Sequence, residues 1–234
     1  MWWVTNQKTG LSALGLQQLL GFGSYETAWT LLQKLRRAMV RPGRDRLSGH
    51  VEVDETFVGG VDPDGGRRHI GNKALVAVAV EIKGEGMGRI RLRRVRDSSG
   101  RSLIPFVEEA VMPGSTITTD GWAAYLGLVK AGYLHDPHVV QGKTGNKKLS
   151  VSLLPRVHRV ASLFKRWLMG THQGSVSRHH LDYYLDEFTF RFNRRASTHR
   201  GQLFYRLAQQ AVAIEPVPYS KIVVQPSTGR GNWS

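Results

Sequence analysis

The chain has 234 residues and no cysteine, which excludes disulfides and thiolate metal sites. Its 33 Lys and Arg residues outnumber 18 Asp and Glu residues, and the net charge of +15 favours a polyanionic partner such as nucleic acid, although a ribosome-associated or simply basic protein has the same charge. No apolar run approaches the roughly 18 residues that span a bilayer and residues 1–5 do not resemble a signal peptide, so we expect a cytoplasmic protein that does not contact membranes.

Two short helices joined by a glycine turn are predicted between residues 11 and 40. The first helix has a predicted leucine face, and Ser24 is a suitable N-cap for the second. Its outer face carries basic residues predicted to contact DNA: Lys34, Arg36 and Arg37. This pattern is typical of a helix-turn-helix DNA reader, and an ordinary helical hairpin with a basic surface fits it equally well. We place the boundary of this segment, residues 1–44, at the turn-rich connector that follows.

The remaining chain alternates strand-like and helix-like patterns. Strands are predicted at 51–56, 74–82, 88–95 and 115–119, and helices at 102–112, 122–131, 153–169 and 177–193. Three consecutive strands followed by alternating helix and strand indicate an α/β protein, a mixed sheet with flanking helices, over residues 45–215. Residues 216–234 are rich in Pro, Ser and Gly and are predicted to form a loosely ordered tail.

Three residues in this α/β region suggest a metal site. Asp54 lies at the centre of the first strand, where a carboxylate is costly to bury without a partner. Asp120 ends a later strand, where side chains project toward a ligand crevice, and His158 lies near the start of a basic helix. Two carboxylates and a third ligand can hold Mg²⁺ or Mn²⁺, and a two-metal site cleaves and joins phosphodiesters. Taken singly, each residue also fits a structural role: a salt bridge, a turn or helix cap, a surface histidine.

Further charged residues extend this hypothesis. Lys165 follows His158 by two helical turns, so it shares that face and could bind DNA backbone, although a solvated lysine fits as well. Glu187 is a rival third acid, for which we favour a structural or DNA-facing role. Glu52 and Glu55 are predicted to point away from the face that carries Asp54. The remaining residues predicted to bind phosphates are basic: Lys147, Lys148 and Arg166.

Several linked segments, in the same order, resemble the ISXO-type insertion-sequence transposases. They are Val51–Gly60, Thr119–Trp122, His158–Trp167, Gly170–His172 and Tyr184–Arg195, and the similarity extends to Gly23–Trp29 in the helical region before them. The resemblance implies an RNase H-like fold and DDE-type, metal-dependent DNA strand cleavage and strand transfer. It also implies double-stranded DNA partners, both element terminal repeats and target, and a homodimer or larger synaptic complex associated with the bacterial nucleoid.

Carried over to this chain, the resemblance makes Asp54 and Asp120 the first two catalytic acids. His158 stands where many relatives have glutamate, and Lys165 is the lysine seven residues later. A neutral imidazole suits Mn²⁺ better than Mg²⁺. Relatives usually carry a cysteine zinc ribbon before the helix-turn-helix, so we expect that the ribbon was lost, that the gene start lies further upstream, or that this is a copy truncated at its N-terminus. The alternatives to an active transposase are a catalytically inactive DNA-binding relic or repressor, and a nuclease without preference for element ends.

Overall fold

The computed structural model describes residues 1–7, 9–41, 43–59, 73–139, 153–173 and 176–223. The chain divides into two units, a helical unit of Met1–Met39 with His199–Ser234 and a sheet unit of Val40–Thr198. This division differs from the predicted boundaries at residues 44 and 215, because the helix after His199 packs against the N-terminal helices. Within the described ranges, no helix has the length and apolarity that crossing a membrane requires.

The described helices of the helical unit are α1 (Trp2–Asn6), α2 (Ala13–Leu20), α3 (Tyr25–Ala38), α7 (Arg200–Ala213) and α8 (Tyr219–Ile222). The predicted pair of helices with a glycine turn is present. Helix α2 ends at Gly21, whose φ of +65° suits glycine, and Ser24 Oγ accepts a hydrogen bond from Glu26 N at 3.2 Å at the start of α3. Ile222 is buried, so the predicted loose tail includes an ordered helix.

Two predictions about these helices are wrong. Arg36 was expected on the outer face of α3, but its side chain is only 2% exposed. It lies four residues after Leu32 and therefore on the same buried face of the helix. The five leucines of the predicted apolar face do not form one buried face. Leu11 and Leu16 are buried, whereas the other three are exposed: Leu14, Leu19 and Leu20.

The sheet unit contains five described strands and four described helices. They are β1 (His50–Val58), β2 (Ala74–Lys83), β3 (Gly86–Val95), α4 (Gly100–Ala110), β4 (Thr116–Thr119), the 3₁₀-helix η1 (Ala123–Leu128), β5 (Leu134–Pro137), α5 (Pro155–His172) and α6 (Leu181–Asn193). The strand order is β3-β2-β1-β4-β5, with β1, β2 and β3 antiparallel and with β4 and β5 parallel to β1. This arrangement confirms the predicted α/β class and is the one expected for an RNase H-like fold.

Each face of the sheet has its own hydrophobic core. On one face, β1 and β2 pack against α5 and α6 through residues such as Val78 and Phe164. On the other face, Val53 packs with α4 and η1 through Phe106 and Tyr125. Because alternate residues of a strand share a face, Glu52 lies on the α5 side together with Asp54, and the prediction that it points to the opposite face is wrong.

Candidate active site

Asp54 lies in β1, and Asp120 directly follows β4, the parallel neighbour of β1. The last pair in the register of these strands joins Glu52 with Thr118, and Asp54 and Asp120 each come two residues after that pair. The pKa of Asp54 is raised from 3.8 to about 6, mainly by burial and to a smaller extent by the charge of Asp120, while the hydrogen bond from Glu55 N at 2.8 Å opposes the shift. The negative charge of Asp120 thus contributes to the raised pKa of Asp54.

The turn after β4 sets the position of Asp120. Its exposed carboxylate accepts a hydrogen bond from Trp122 N at 2.9 Å, and Gly121 between them has a φ of +81°. A Cβ at Gly121 would lie 2.5 Å from Val139 Cγ2. The left-handed backbone conformation therefore favours glycine after this aspartate, and a larger residue would also displace the exposed side chain of Val139.

His158 reaches the same face of the sheet from α5. This helix begins at Pro155, as is usual for proline in the first turn. His158 Nε2 lies 3.7 Å from Asp54 Oδ2, which is a contact but is longer than a hydrogen bond. Their side chains are 32% and 18% exposed, so both remain partly accessible to a ligand. The structure thus brings together two of the residues predicted from the sequence, Asp54 and His158.

Glu52, which the sequence prediction did not include in the site, fixes the helix that carries His158. Its Oε2 accepts hydrogen bonds from Arg156 N and Val157 N, both at 2.8 Å, and its Oε1 pairs with Arg156 Nη1 at 3.1 Å. A carboxylate is favoured at a helix N-terminus because the first amide groups have no partner within the helix. The sequence could have predicted that Glu52 and Asp54 share a face, since residues two apart in a strand point to the same side of the sheet.

Glu55 and Tyr125 form a second interaction that sequence reasoning missed. Tyr125 is fully buried in η1, and its Oη donates a hydrogen bond to Glu55 Oε2 at 2.7 Å. The pKa of Glu55 is raised to about 7, mainly by burial and also by the charges of Asp54 and Asp120, while the tyrosine hydrogen bond opposes the shift. Glu55 and Tyr125 are 70 residues apart in the chain, and no sequence pattern indicated that they are in contact.

Lys165 lines a cavity of about 280 Å³ at the end of β1, with Phe57 and Gly59 among its other lining residues. Partial burial lowers the pKa of Lys165, and the charge of Lys73 lowers it further. An ammonium group in this position is available to an anionic ligand approaching that end of the sheet.

The other predicted residues fall into three groups. Glu187 is buried in α6, where Arg191 Nη2 lies 2.7 Å from its carboxylate, an arrangement that agrees with a structural role. The predicted phosphate-binding residues on exposed helix faces are Lys34, Arg37 and Arg166, whereas Arg36 is buried. Lys147 and Lys148 lie outside the described residues.

The chemistry of Asp54, Asp120 and His158 fits a divalent cation. Hard cations prefer carboxylate oxygens, and imidazole is an acceptable third ligand for Mn²⁺. A cation would also relieve the repulsion that contributes to the raised pKa of Asp54. Among the described residues, no three Asp, Glu or His side chains converge closely enough to hold a metal ion in their present conformations.

Comparison with known proteins adds one strong match. Residues 46–193, well over half of the chain, match the model of the ISXO2-like transposase domain. No curated protein matches the chain. Among solved structures, a chain of a simian T-cell lymphotropic virus intasome in complex with PP2A regulatory subunit B56 gamma aligns with a TM-score of 0.43 and 16% identity, covering 95% of this chain and 86% of that chain. A likeness of this size supports no argument about function.

Proposed function

Because this chain belongs to the ISXO2-like transposase family, we propose that it is the transposase of an insertion sequence, which cleaves DNA at the ends of its element and joins the freed 3′-OH to a target phosphodiester. The observation that carries the proposal is that His158 Nε2 lies 3.7 Å from Asp54 Oδ2 on β1, the strand that pairs in parallel with β4, after which Asp120 directly follows. The matched domain includes all three residues.

In this proposal, Asp54 and Asp120 hold divalent metal, Mg²⁺ or Mn²⁺, and His158 is the third ligand. The bound metal, as one ion or as a two-metal pair, supplies activation of the nucleophile and stabilisation of the leaving oxygen. The protein contributes the ionised carboxylates, so Asp54 must lose its proton before it can bind metal. Glu52 contributes indirectly, since it fixes the first turn of α5 and thereby the approach of His158.

The DNA partner is proposed from charge and exposure. Arg37 and Lys34 on α3 are exposed in the helical unit, and Lys165 and Arg166 are exposed on α5 in the sheet unit. Such residues neutralise phosphates and make DNA affinity fall steeply with salt. Lys147 and Lys148 remain part of the proposed set. Because strand transfer joins two element ends to one target, we also propose that the protein works as a homodimer or a larger synaptic complex.

The test is Mn²⁺-supported cleavage of terminal-repeat DNA by an Asp120→Asn variant. We expect cleavage to fall by more than about 100-fold, since loss of even an indirect partner of a metal ligand costs 10- to 100-fold. DNA binding, followed by fluorescence anisotropy, should not weaken. Asp182→Asn is the matched control, because Asp182 is an exposed acid on α6 that pairs with Arg94. Cleavage by Asp120→Asn at the wild-type rate would refute the assignment.

A second candidate is a DNA-binding repressor without catalysis. It is favoured by the observation that, among the described residues, the proposed ligands do not converge closely enough to hold a metal ion. In addition, the neutral imidazole of His158 supplies no negative charge to such a site. Calorimetry separates the two: the repressor takes up no Mn²⁺ while its affinity for terminal-repeat DNA is retained, whereas the transposase binds both.

A further inference from the structure

We infer that Tyr125 is a positioning residue, which sets the place of Asp120 relative to Asp54 by tying the turn after β4 to β1 through Glu55. The inference rests on the proposed function, because the spacing of Asp54 and Asp120 matters only if the two residues bind the same metal site. It assigns a role to Tyr125 and Glu55, neither of which belongs to the proposed ligand set.

A continuous path of hydrogen bonds joins the two aspartates. Asp54 Oδ1 accepts from Glu55 N at 2.8 Å, and Glu55 Oε2 accepts from Tyr125 Oη at 2.7 Å. Tyr125 N donates to Trp122 O at 3.0 Å, and Trp122 N donates to Asp120 Oδ1 at 2.9 Å. Each aspartate is therefore bound to a backbone amide whose own residue belongs to the path.

Tyr125 is suited to hold this path rigid. Its ring is fully buried among the residues of the α4 and η1 core, so packing fixes the position of its hydroxyl group. A buried phenol needs a hydrogen-bond partner, and here the partner is the partly buried carboxyl group of Glu55, at 2.7 Å. The tie thus connects a rigid part of the core to β1.

Asp120 needs such a tie because its own surroundings are open. It is exposed at the end of the four-residue strand β4 and is followed by Gly121, which has a left-handed backbone. Other anchors of this turn do not reach β1: Gly121 N donates to Thr119 Oγ1 at 3.2 Å, and Trp122 Nε1 donates to Ser98 O at 3.0 Å. Without Tyr125, the turn would lose its described side-chain hydrogen bond to β1, the strand that carries Asp54.

Glu55 could instead act directly, as a further metal ligand. Its position argues against this, because it follows Asp54 by one residue and so leaves β1 on the opposite face, where Tyr125 binds it. Substitution by glutamine distinguishes the two roles. Glutamine keeps an oxygen that can accept from Tyr125 Oη but has no charge to offer a metal.

The experiment is Mn²⁺ titration calorimetry of the full chain. Tyr125→Phe should lower Mn²⁺ affinity by about 10- to 100-fold, the range for partners that orient metal ligands. Glu55→Gln should lower it less. Tyr133→Phe is the matched control, because Tyr133 is also buried and donates to Val111 O at 3.0 Å, away from the aspartates. It should lose similar thermal stability and keep wild-type Mn²⁺ affinity.

Amide hydrogen exchange at Trp122 in metal-free protein tests the tie without reference to metal. It should be faster in Tyr125→Phe than in wild type and unchanged in Tyr133→Phe. Wild-type exchange at Trp122 in Tyr125→Phe would overturn the inference, as would unchanged Mn²⁺ affinity. A loss of Mn²⁺ binding in Glu55→Gln greater than in Tyr125→Phe would also overturn it. If the wild type takes up no Mn²⁺ but exchange accelerates in Tyr125→Phe, the tie is supported and the proposed function is refuted.

Discussion

Two carboxylates on the same face of β1 lie in opposite kinds of surroundings. In the region that we call the capped end (Glu52, Arg156 and Val157), the acid is 3% exposed and accepts hydrogen bonds from two helix amides and an arginine. In the acidic edge (Asp54, Glu55 and Asp120), burial and neighbouring negative charge raise the pKa of Asp54 to about 6. The first acid stabilises the fold, whereas the second is held in an unfavourable state, which is typical of a functional site.

The two regions are linked through α5. The capped end fixes the first turn of this helix, and His158 follows one residue after Val157, so the same turn delivers the imidazole to Asp54. The hydrogen bonds of Glu52 to α5 therefore help to hold His158 against Asp54, the acid with the raised pKa. The predictions below separate the two regions, starting from the largest expected effect.

Glu52→Ala should lower the free energy of unfolding by about 3 kcal/mol, because it leaves two helix amides without their acceptor and removes the carboxylate partner of a largely buried arginine. Urea denaturation measures the loss. Glu81→Ala on β2 is the control, since Glu81 also pairs with an arginine, at 2.7 Å, but this arginine is more exposed. A loss in Glu52→Ala no larger than in Glu81→Ala would remove the distinction of the capped end.

Asp54→Asn should stabilise the metal-free protein by about 2 kcal/mol at pH 8. The pKa of Asp54 is about 6 in the folded protein and 3.8 ordinarily, so its contribution to stability is present below pH 3.8 and is lost as the pH rises through 6. Asparagine does not titrate, so the gain should disappear at pH 3.5. Urea denaturation in EDTA at both pH values checks this, and an equal effect at both would contradict the raised pKa.

Mn²⁺ affinity should fall by about tenfold for each pH unit below 6, because a proton on Asp54 competes with the metal. Between pH 7 and 8, this competition should no longer affect the affinity. Calorimetric titrations at pH 5, 6, 7 and 8 measure the trend. An affinity that is constant from pH 5 to 8 would show that the metal does not bind at the acidic edge.

Lys165→Ala should have the smallest effect, a decrease of about one in the slope of log affinity against log salt for DNA binding. Lys165 lies at the Gly59 end of β1, whereas the exposed Lys83 lies at the opposite end of the sheet, beside the capped end. Lys83→Ala should leave the slope unchanged. Equal slopes for the two variants would mean that DNA does not favour the Lys165 end of the sheet.

Local sequence patterns predicted much of the sheet unit. The alternation around Asp54 and the apolar run of 74–82 correspond to β1 and β2, and Pro155 marks the start of α5. Asp54 stood out because an acid within a β-branched run is unusual. The same alternation places Glu52 on the same face of the strand as Asp54. The prediction that Glu52 points to the opposite face was therefore an error in applying this pattern, and the pattern itself was clear.

Contacts between distant segments could not be predicted in this way. The pairing of Glu55 with Tyr125 depends on how η1 packs under the sheet, which no local pattern specifies. Arg36 is buried in a unit built from both ends of the chain, where α7 packs against α1 and α3. A local pattern assigns arginine to the surface, and only tertiary packing overrides this.

The most direct test of the central claim is Mn²⁺ titration of Asp54→Asn beside Glu52→Gln, two neutral substitutions on one face of one strand. If the acidic edge is the metal site, Asp54→Asn should lose about 100-fold or more in Mn²⁺ affinity. Glu52→Gln should bind Mn²⁺ with nearly wild-type affinity at a temperature where it remains folded. Wild-type Mn²⁺ affinity in Asp54→Asn would contradict the account.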